Sequence, residues 1–391
     1  MVTPRNRNLD LVLFGATGFT GALTAEYLAR NAPSGLRWAL AGRNLDKLER
    51  VRARLAEIDA ELKELELIEA DSSDSASMVD LAGRARVVIT TVGPYVQHGE
   101  PLVAACAAAG TDYIDITGEG EFVDRMYVAH HATAENTGAR IVHACGFDSV
   151  PHDLGAYYTI RQLAPAGPVR MHGVVRAAGM VSGGTFHSAI AGFTRTRQMR
   201  EAAQARKRVQ PRPEVRRSRA VAGKPHRDKL LGYWLLPLPT IDPAIVARSG
   251  AALLEYGPDF TYSHYAGTKT LRYAVGGAVG VGTIGLAAQV PPLRNFLLSR
   301  IKRGEGPDDT RRERSRFTVD FVAETDGRTV HTRVSGGDAY ELSAIACAEG
   351  ALSLAFDDNP ETAGCVTTAQ AMGDNLTARL VAAGIRFEVR D

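Results

Sequence analysis

A chain of 391 residues, 45% hydrophobic and 23% charged, is long enough for two domains and has the make-up of an ordinary folded protein. A net charge of +2 excludes a global attraction to nucleic acid. Four widely spaced cysteines with no CxxC pair exclude a disulfide framework, predict reduced thiols in a cytoplasm and leave no metal site expected; the opening MVTPRNRNLD lacks the apolar core of a secretory signal.

The first part alternates strand and helix. LDLVLFGA is an apolar run ending in glycine, as a buried parallel strand should. It is followed by GATGFTG, in which Gly15, Gly18 and Gly21 have GxxGxxG spacing before a helical pattern. Such glycines permit a tight turn and a close backbone approach, and the helix N-terminus then faces a pyrophosphate. Thr17, Phe19 and Thr20 complete the predicted dinucleotide-binding turn.

LRWALAG is the second strand, and it ends in Gly42, Arg43 and Asn44 where NAD-binding proteins usually carry an acid. An acid would repel a 2′-phosphate, whereas Arg43 can grip it and Asn44 can add a hydrogen bond. The expected cofactor is therefore NADP(H). LDKLERVRARLAEI is an amphipathic helix, and ELELIEAD, RARVVITTVG, TDYIDITG and ARIVHACG supply strands three to six, with helices between them near 75–84, 97–109 and 120–137.

Asp71, ending the third strand, either reaches the adenine or caps a helix. Thr91, Val92, Gly93 and Pro94 end the fourth strand, in the crevice where a nicotinamide would lie. Tyr95 and His98 follow as candidate proton donors, with structural roles as the alternative. After the sixth strand, HACGFDSVPHDLG packs titratable residues beside the predicted cleft. It supplies Phe147, Asp148 and Ser149 as substrate contacts and His152 as a third candidate acid; Asp148 or Ser149 could instead cap a helix starting near Pro151. SGGTFHS, with Gly184 and Thr185, is a glycine turn able to shape a substrate pocket.

Beyond Gly146 the rhythm changes. RFTVDFVAE and RTVHTRVSG, joined through Thr325-Asp326-Gly327-Arg328, read as a hairpin. YELSAIACAEGALSLAF and TAQAMGDNLTARLVAAG read as helices packing back on the first domain. The fold class is α/β: a doubly wound parallel Rossmann sheet over 1–147, an inserted mixed α/β substrate domain over 148–338 and a C-terminal helical return over 339–391. Two surface features stand out. Residues 195–229 hold thirteen basic and three acidic residues, a local charge of +10, which reads as solvated surface or as a dock for an acidic partner. From Tyr273 to Leu293 no residue is charged, over a length that suits a membrane span, a segment touching lipid, or a buried strand and helix.

The segments GATGFTG, AGRNLDKL, TVGPYVQHGEPLVAACAAAGTDYIDITGE and GFDSVPHDLG together resemble the saccharopine dehydrogenase-like oxidoreductases. GEGPDDTRRERSRFTVDF and CVTTAQAMGDNLTARL extend the likeness to the actinobacterial trans-acting enoyl reductases. That resemblance implies NADPH-dependent reduction of a carbon–carbon double bond in an acyl-thioester or lipid carried by a polyketide synthase, with Gly15, Gly18, Gly21 and Arg43 at the cofactor. From the cysteines and the net charge, the expected location is the cytoplasm with no nucleic acid among the partners; peripheral contact with the inner face of the plasma membrane and a homodimer stay open as alternatives. The competing readings are a saccharopine-type amino-acid dehydrogenase and an NADP-binding lipid-surface protein without turnover. The predicted pocket loops lack the arginines that glutamate-like substrates need, which favours the acyl substrate.

Overall fold

The computed structural model describes residues 7–178, 190, 194–211, 213–300 and 309–390. Its strands in chain order are β1 (Leu9–Phe14), β2 (Trp38–Gly42), β3 (Glu66–Glu69), β4 (Ala85–Thr90), β5 (Asp112–Asp115), β6 (Arg140–Val142), β7 (Val169–Ala178), β8 (Arg217–Ala220), β9 (His226–Arg227), β10 (Trp234–Pro237), β11 (Asp259–Thr268), β12 (Arg316–Thr325), β13 (Arg328–Gly336), β14 (Gly364–Val366) and β15 (Arg386–Arg390).

The chain divides into two compact units. One comprises Met1–Phe147, Ala202–Val209 and Tyr340–Ala383; the other comprises Asp148–Glu201, Gln210–Ala339 and Gly384–Asp391.

The first unit is built on a seven-stranded sheet in the order β14-β6-β5-β4-β1-β2-β3, with every pairing parallel. β1 is buried along its whole length, which is why it reads as continuous aliphatic sequence. Strand order reverses between β1 and β4. The loops leaving these two strands therefore diverge at their carboxyl ends and open a crevice, the usual ligand site of such sheets. Helices 75–84 and 120–137 stand where the sequence places them, while the one expected over 97–109 is split at Gly99 into Tyr95–His98 and Glu100–Ala109.

The second unit carries an eight-stranded mixed sheet in the order β15-β13-β12-β7-β11-β10-β9, with β8 also paired to β11. The β12–β13 hairpin closes at Thr325 and Arg328, and Asp326 (φ +44°) and Gly327 (φ +76°) adopt the left-handed conformation that such a two-residue turn requires. The stretch 339–391 holds helices Ala339–Phe356 and Gly373–Ala382, but it also supplies β14 to the first sheet and β15 to the edge of the second. It is thus not a purely helical return, because its last strand finds an open edge at β13.

The uncharged stretch after Tyr273 is neither a strand nor buried. It forms helix Leu271–Gln289, followed by helix Pro291–Arg300, and most of its described side chains face outward.

Candidate active site

The glycine turn leaves β1 at Phe14. Gly15 has φ +96°, its amide donates to the Ala41 carbonyl at 2.9 Å, and the Gly18 amide donates back to the Gly15 carbonyl at 3.0 Å. The next helix starts at Phe19 with Gly18 as its N-cap and no capping side chain. Its first amides have no partner within the helix and face the end of the turn.

The three glycines are needed for different reasons. A Cβ on Gly15 would lie 2.8 Å from both Thr91 Oγ1 and Val92 Cγ2, and one on Gly21 would lie 2.2 Å from the Gly15 carbonyl oxygen. A Cβ on Gly18 would meet only the Gly15 carbonyl, at an ordinary 3.4 Å. The space in front of Gly18 is open, at the positive end of a helix. This cradle fits a pyrophosphate. Around it, Thr17 is exposed, Thr20 accepts from the Thr24 hydroxyl at 2.9 Å, and the Phe19 ring stands edge-on to Tyr340 at 5.4 Å.

Arg43 is exposed immediately past β2. Asn44 caps the following helix by accepting the Lys47 amide at 2.8 Å, which fixes the turn that carries Arg43. Asp71 accepts the Ser73 amide at 2.9 Å and hydroxyl at 2.8 Å, so its first role is a local turn. Those two bonds, reinforced by the charges of Arg43 and His98, hold its carboxyl below the ordinary range. Arg43, Asp71 and His98 thus share one electrostatic neighbourhood, on the adenosine side of the cradle. His98 is exposed at the end of the short helix Tyr95–His98.

At the end of β4, the Thr91 hydroxyl donates to the Gly15 carbonyl at 3.1 Å and the Val92 amide to Thr90 Oγ1 at 3.3 Å. The first of these bonds ties the two crevice loops together. The Gly93–Pro94 peptide is cis. Tyr95 turns away from the crevice into the core, where its hydroxyl donates to the Thr90 carbonyl at 3.0 Å and accepts the Ile116 amide at 3.4 Å. Burial and the nearby Asp115 carboxylate push its pKa well above the ordinary value. Tyr95 is a packing residue, not an accessible acid. Glu119, absent from the sequence-derived candidates, receives the Tyr95 and Val96 amides at 3.1 and 2.9 Å and holds this loop.

A buried carboxylate organises the ends of β5 and β6. Asp115 accepts the Tyr113 hydroxyl and the Thr117 and Ala144 amides, and its Oδ2 lies 2.7 Å from His143 Nδ1. Just beyond, the Phe147 amide donates to Ser343 Oγ at 3.0 Å.

In the second unit, helix Val150–Leu163 begins after Ser149, whose carbonyl receives the His152 and Asp153 amides at 3.0 and 2.8 Å. Ser149 occupies the N-cap position without a side-chain cap bond. The His152 ring stands edge-on to His264, centroids 4.8 Å apart, and His264 Nδ1 is 2.9 Å from Asp242 Oδ2. All three are buried. Burial alone would raise Asp242, but His152 and His264 hold it below the ordinary carboxylate range. Burial, together with the Asp242 charge, raises the half-buried Asp148 to about 6.

His152, Asp242 and His264 offer three ligand atoms within 4.8 Å of one another. Yet Asp242 is the first residue of helix Asp242–Ala252, and His152 lies in the first turn of its own helix. Two positive helix ends at the cluster oppose a metal cation. Asp242 and His264 carry no local signal in the sequence; only the fold brings them to His152. Gly184 and Thr185 lie outside the described residues.

Residues 11–142 match the family model of the saccharopine dehydrogenase NADP binding domain. Over 423 aligned positions the chain is 38% identical to the trans-acting enoyl reductase of Mycobacterium tuberculosis, covering 98% of both chains. The trans-acting enoyl reductase of Mycobacterium leprae is 36% identical over 421 positions, again with 98% of both covered. Among solved structures, the apo saccharopine dehydrogenase (L-Glu forming) of Saccharomyces cerevisiae aligns with 98% of this chain and 100% of its own at a TM-score of 0.59 and 12% identity, a likeness of fold.

Proposed function

The chain belongs to the trans-acting enoyl reductase family of saccharopine dehydrogenase-like proteins, NADP-dependent oxidoreductases, and on that premise we propose that it reduces the carbon–carbon double bond of an enoyl thioester carried by a polyketide synthase, in the making of a long-chain lipid. The observation that carries this reading is the full-length identity to enoyl reductases, joined to a glycine cradle that keeps its phosphate face open and an arginine where NAD enzymes place an acid.

When bound, the nicotinamide supplies a hydride to the β-carbon of the enoyl group. The protein's part is binding and proton handling. The amides after Gly18 receive the pyrophosphate and Arg43 receives the 2′-phosphate. Thr91 holds the crevice loop in register with Gly15. Of the three acids proposed from sequence, His152 stands beside a histidine that a carboxylate orients; we assign it the proton delivered to the α-carbon. Phe147, Asp148 and Ser149 remain the proposed substrate contacts. His152→Gln is then expected to lower kcat by roughly a hundredfold or more while leaving NADPH affinity unchanged, the usual scale of general acid catalysis.

The basic stretch 195–229 supports docking of an acidic carrier protein. We place the protein in the cytoplasm, at the inner face of the plasma membrane, with a homodimer as the assembly to be checked by light scattering. The reaction is tested by following NADPH oxidation with a short soluble 2-enoyl thioester and weighing the product, which should gain two hydrogens. Absence of oxidation with any enoyl thioester, together with NADP reduction by saccharopine, would replace this reading with an amino-acid dehydrogenase.

A further inference from the structure

Among the described residues, two helices are long and apolar enough to cross a membrane, and the fold treats them oppositely. The most apolar window of Ala339–Phe356 is 72% buried, whereas that of Leu271–Gln289 is 12% buried. Along the latter, Tyr273, Val279 and Leu286 are 61%, 62% and 74% exposed, and helix Pro291–Arg300 adds Phe296 at 52%. A Cβ on Gly276, Gly277, Gly280 or Gly282 would meet nothing within 4 Å, so among the described residues no other element packs on those turns. Ala274 and Ala288 are buried, which fastens the helix to its own unit near its two ends. A helix this apolar on all sides belongs in a core or in lipid, and this one is not in the core.

The charges around it select the occupant. Residues 260–304 contain no Asp or Glu, while Lys269 and Arg272 precede the apolar run and Arg294 follows it, with Arg300, Lys302 and Arg303 next in the sequence. The Arg272 guanidinium lies over the Tyr273 ring at 4.9 Å, a basic and aromatic pair of the kind that anchors at a headgroup layer. Basic margins around an uncharged centre complement anionic lipid.

The sheet decides how the lipid is entered. β11 runs parallel to β7 and β12 runs antiparallel to it, so Ala266 pairs with Val175 near the same end of β7 at which Arg316 pairs with Ala178. The chain therefore leaves the sheet and returns to it at one end. A single crossing would leave β12 on the far side of the membrane. Pro291–Arg300, ten residues with Arg294 inside, is too short and too charged to recross, because a spanning helix needs about 20 apolar residues. We propose that the helix pair 271–300 is a monotopic anchor that embeds its apolar faces in a single leaflet of an anionic phospholipid membrane, with Lys269, Arg272 and Arg294 at the headgroups. This rests on the membrane location proposed above and is independent of the reaction.

The test is flotation of the purified full chain with vesicles of phosphatidylcholine containing phosphatidylglycerol, against vesicles of phosphatidylcholine alone. The full chain should partition at least tenfold better onto the anionic vesicles. Val279→Asp with Leu286→Asp, both on exposed positions, should lower that partition at least tenfold, and Arg272→Glu with Arg294→Glu should remove the preference for phosphatidylglycerol. Trypsin added outside sealed vesicles should cut on both sides of the anchor, near Lys269 and near Arg312, as one-leaflet insertion requires. Oxidation of NADPH with a short soluble thioester should survive in the Asp variant, which separates loss of the anchor from loss of the enzyme. Failure of the full chain to float, flotation unaffected by the Asp pair, cleavage on one side only, or a dimer in light scattering that the Asp pair splits would overturn the proposal.

Discussion

The carbonyl oxygen of Gly15 fills the space in which Gly21 would carry a Cβ, only 2.2 Å away, while Gly18 faces open space. One motif thus contains two glycines that the fold requires and one that a ligand requires. Gly21→Ala should destabilise the first unit by about 1–3 kcal/mol, the usual cost of forcing an atom into a packed site. Gly18→Val should leave the melting temperature within a few degrees and abolish binding of NADPH and NADH alike. Calorimetry on both variants, with cofactor titration of the folded one, checks the division; a Gly18→Val protein that binds NADPH normally would refute the cradle.

Cofactor choice rests on Arg43. Arg43→Ala should cost NADPH about 1.5–3 kcal/mol, the worth of a hydrogen bond to a charged group, or roughly ten- to a hundredfold in affinity, with little change for NADH. Equal losses for both cofactors would show that the arginine does not read the 2′-phosphate.

Asp148 sets a pH dependence of stability. Its pKa rises from 3.8 in the unfolded chain to about 6 in the folded one, so the folded state holds a proton that the unfolded state has lost across that window. Stability is therefore full below the lower value, declines as pH rises through the window and stays reduced above it. Asp148→Asn should be about 1–3 kcal/mol more stable than the parent near pH 8 and no different below pH ~4, since each tenfold change in proton affinity is worth about 1.4 kcal/mol. Parallel pH series of thermal unfolding decide this, and superimposable curves would discard it.

Docking of an acidic carrier is best probed on helix Thr196–Val209, where Arg200, Lys207 and Arg208 are exposed. Arg216 is unsuitable, because it donates to the Ala251 and Leu253 carbonyls at the end of helix Asp242–Ala252 and its loss would disturb the fold. Reversing the three exposed residues to glutamate should raise KM for a carrier-bound enoyl substrate by about threefold or more at low salt, since exposed attraction acts over a Debye length of about 10 Å. A soluble thioester should show no change. Identical KM shifts for both substrates would point to general damage.

The dinucleotide-binding half was legible because its signals are local. An apolar strand, a glycine turn and an amphipathic helix follow one another within Leu9–Ile58, and each is set by short-range sterics and burial period. Arg43 was legible for the same reason, as was the Asp326-Gly327 hairpin, whose two left-handed residues need no distant contact. The full-length likeness to a family carried the reaction, which the spacing of residues alone does not contain.

Tertiary structure decided what depends on where side chains turn and which segments meet. Tyr95 adjoins the crevice in sequence, yet a core position and the Thr90 carbonyl claim its hydroxyl. His98 ends the same short helix and is exposed. Asp242 and His264 join His152 from distant segments, with no pattern linking them, because burial of β11 and the two helix starts brings them together. Two apolar helices of similar length read alike, and only packing sorted them: Ala339–Phe356 found neighbours on all sides, and Leu271–Gln289 did not. Hydrophobic composition states that a helix must leave water; it takes the rest of the chain to determine whether protein is there to receive it.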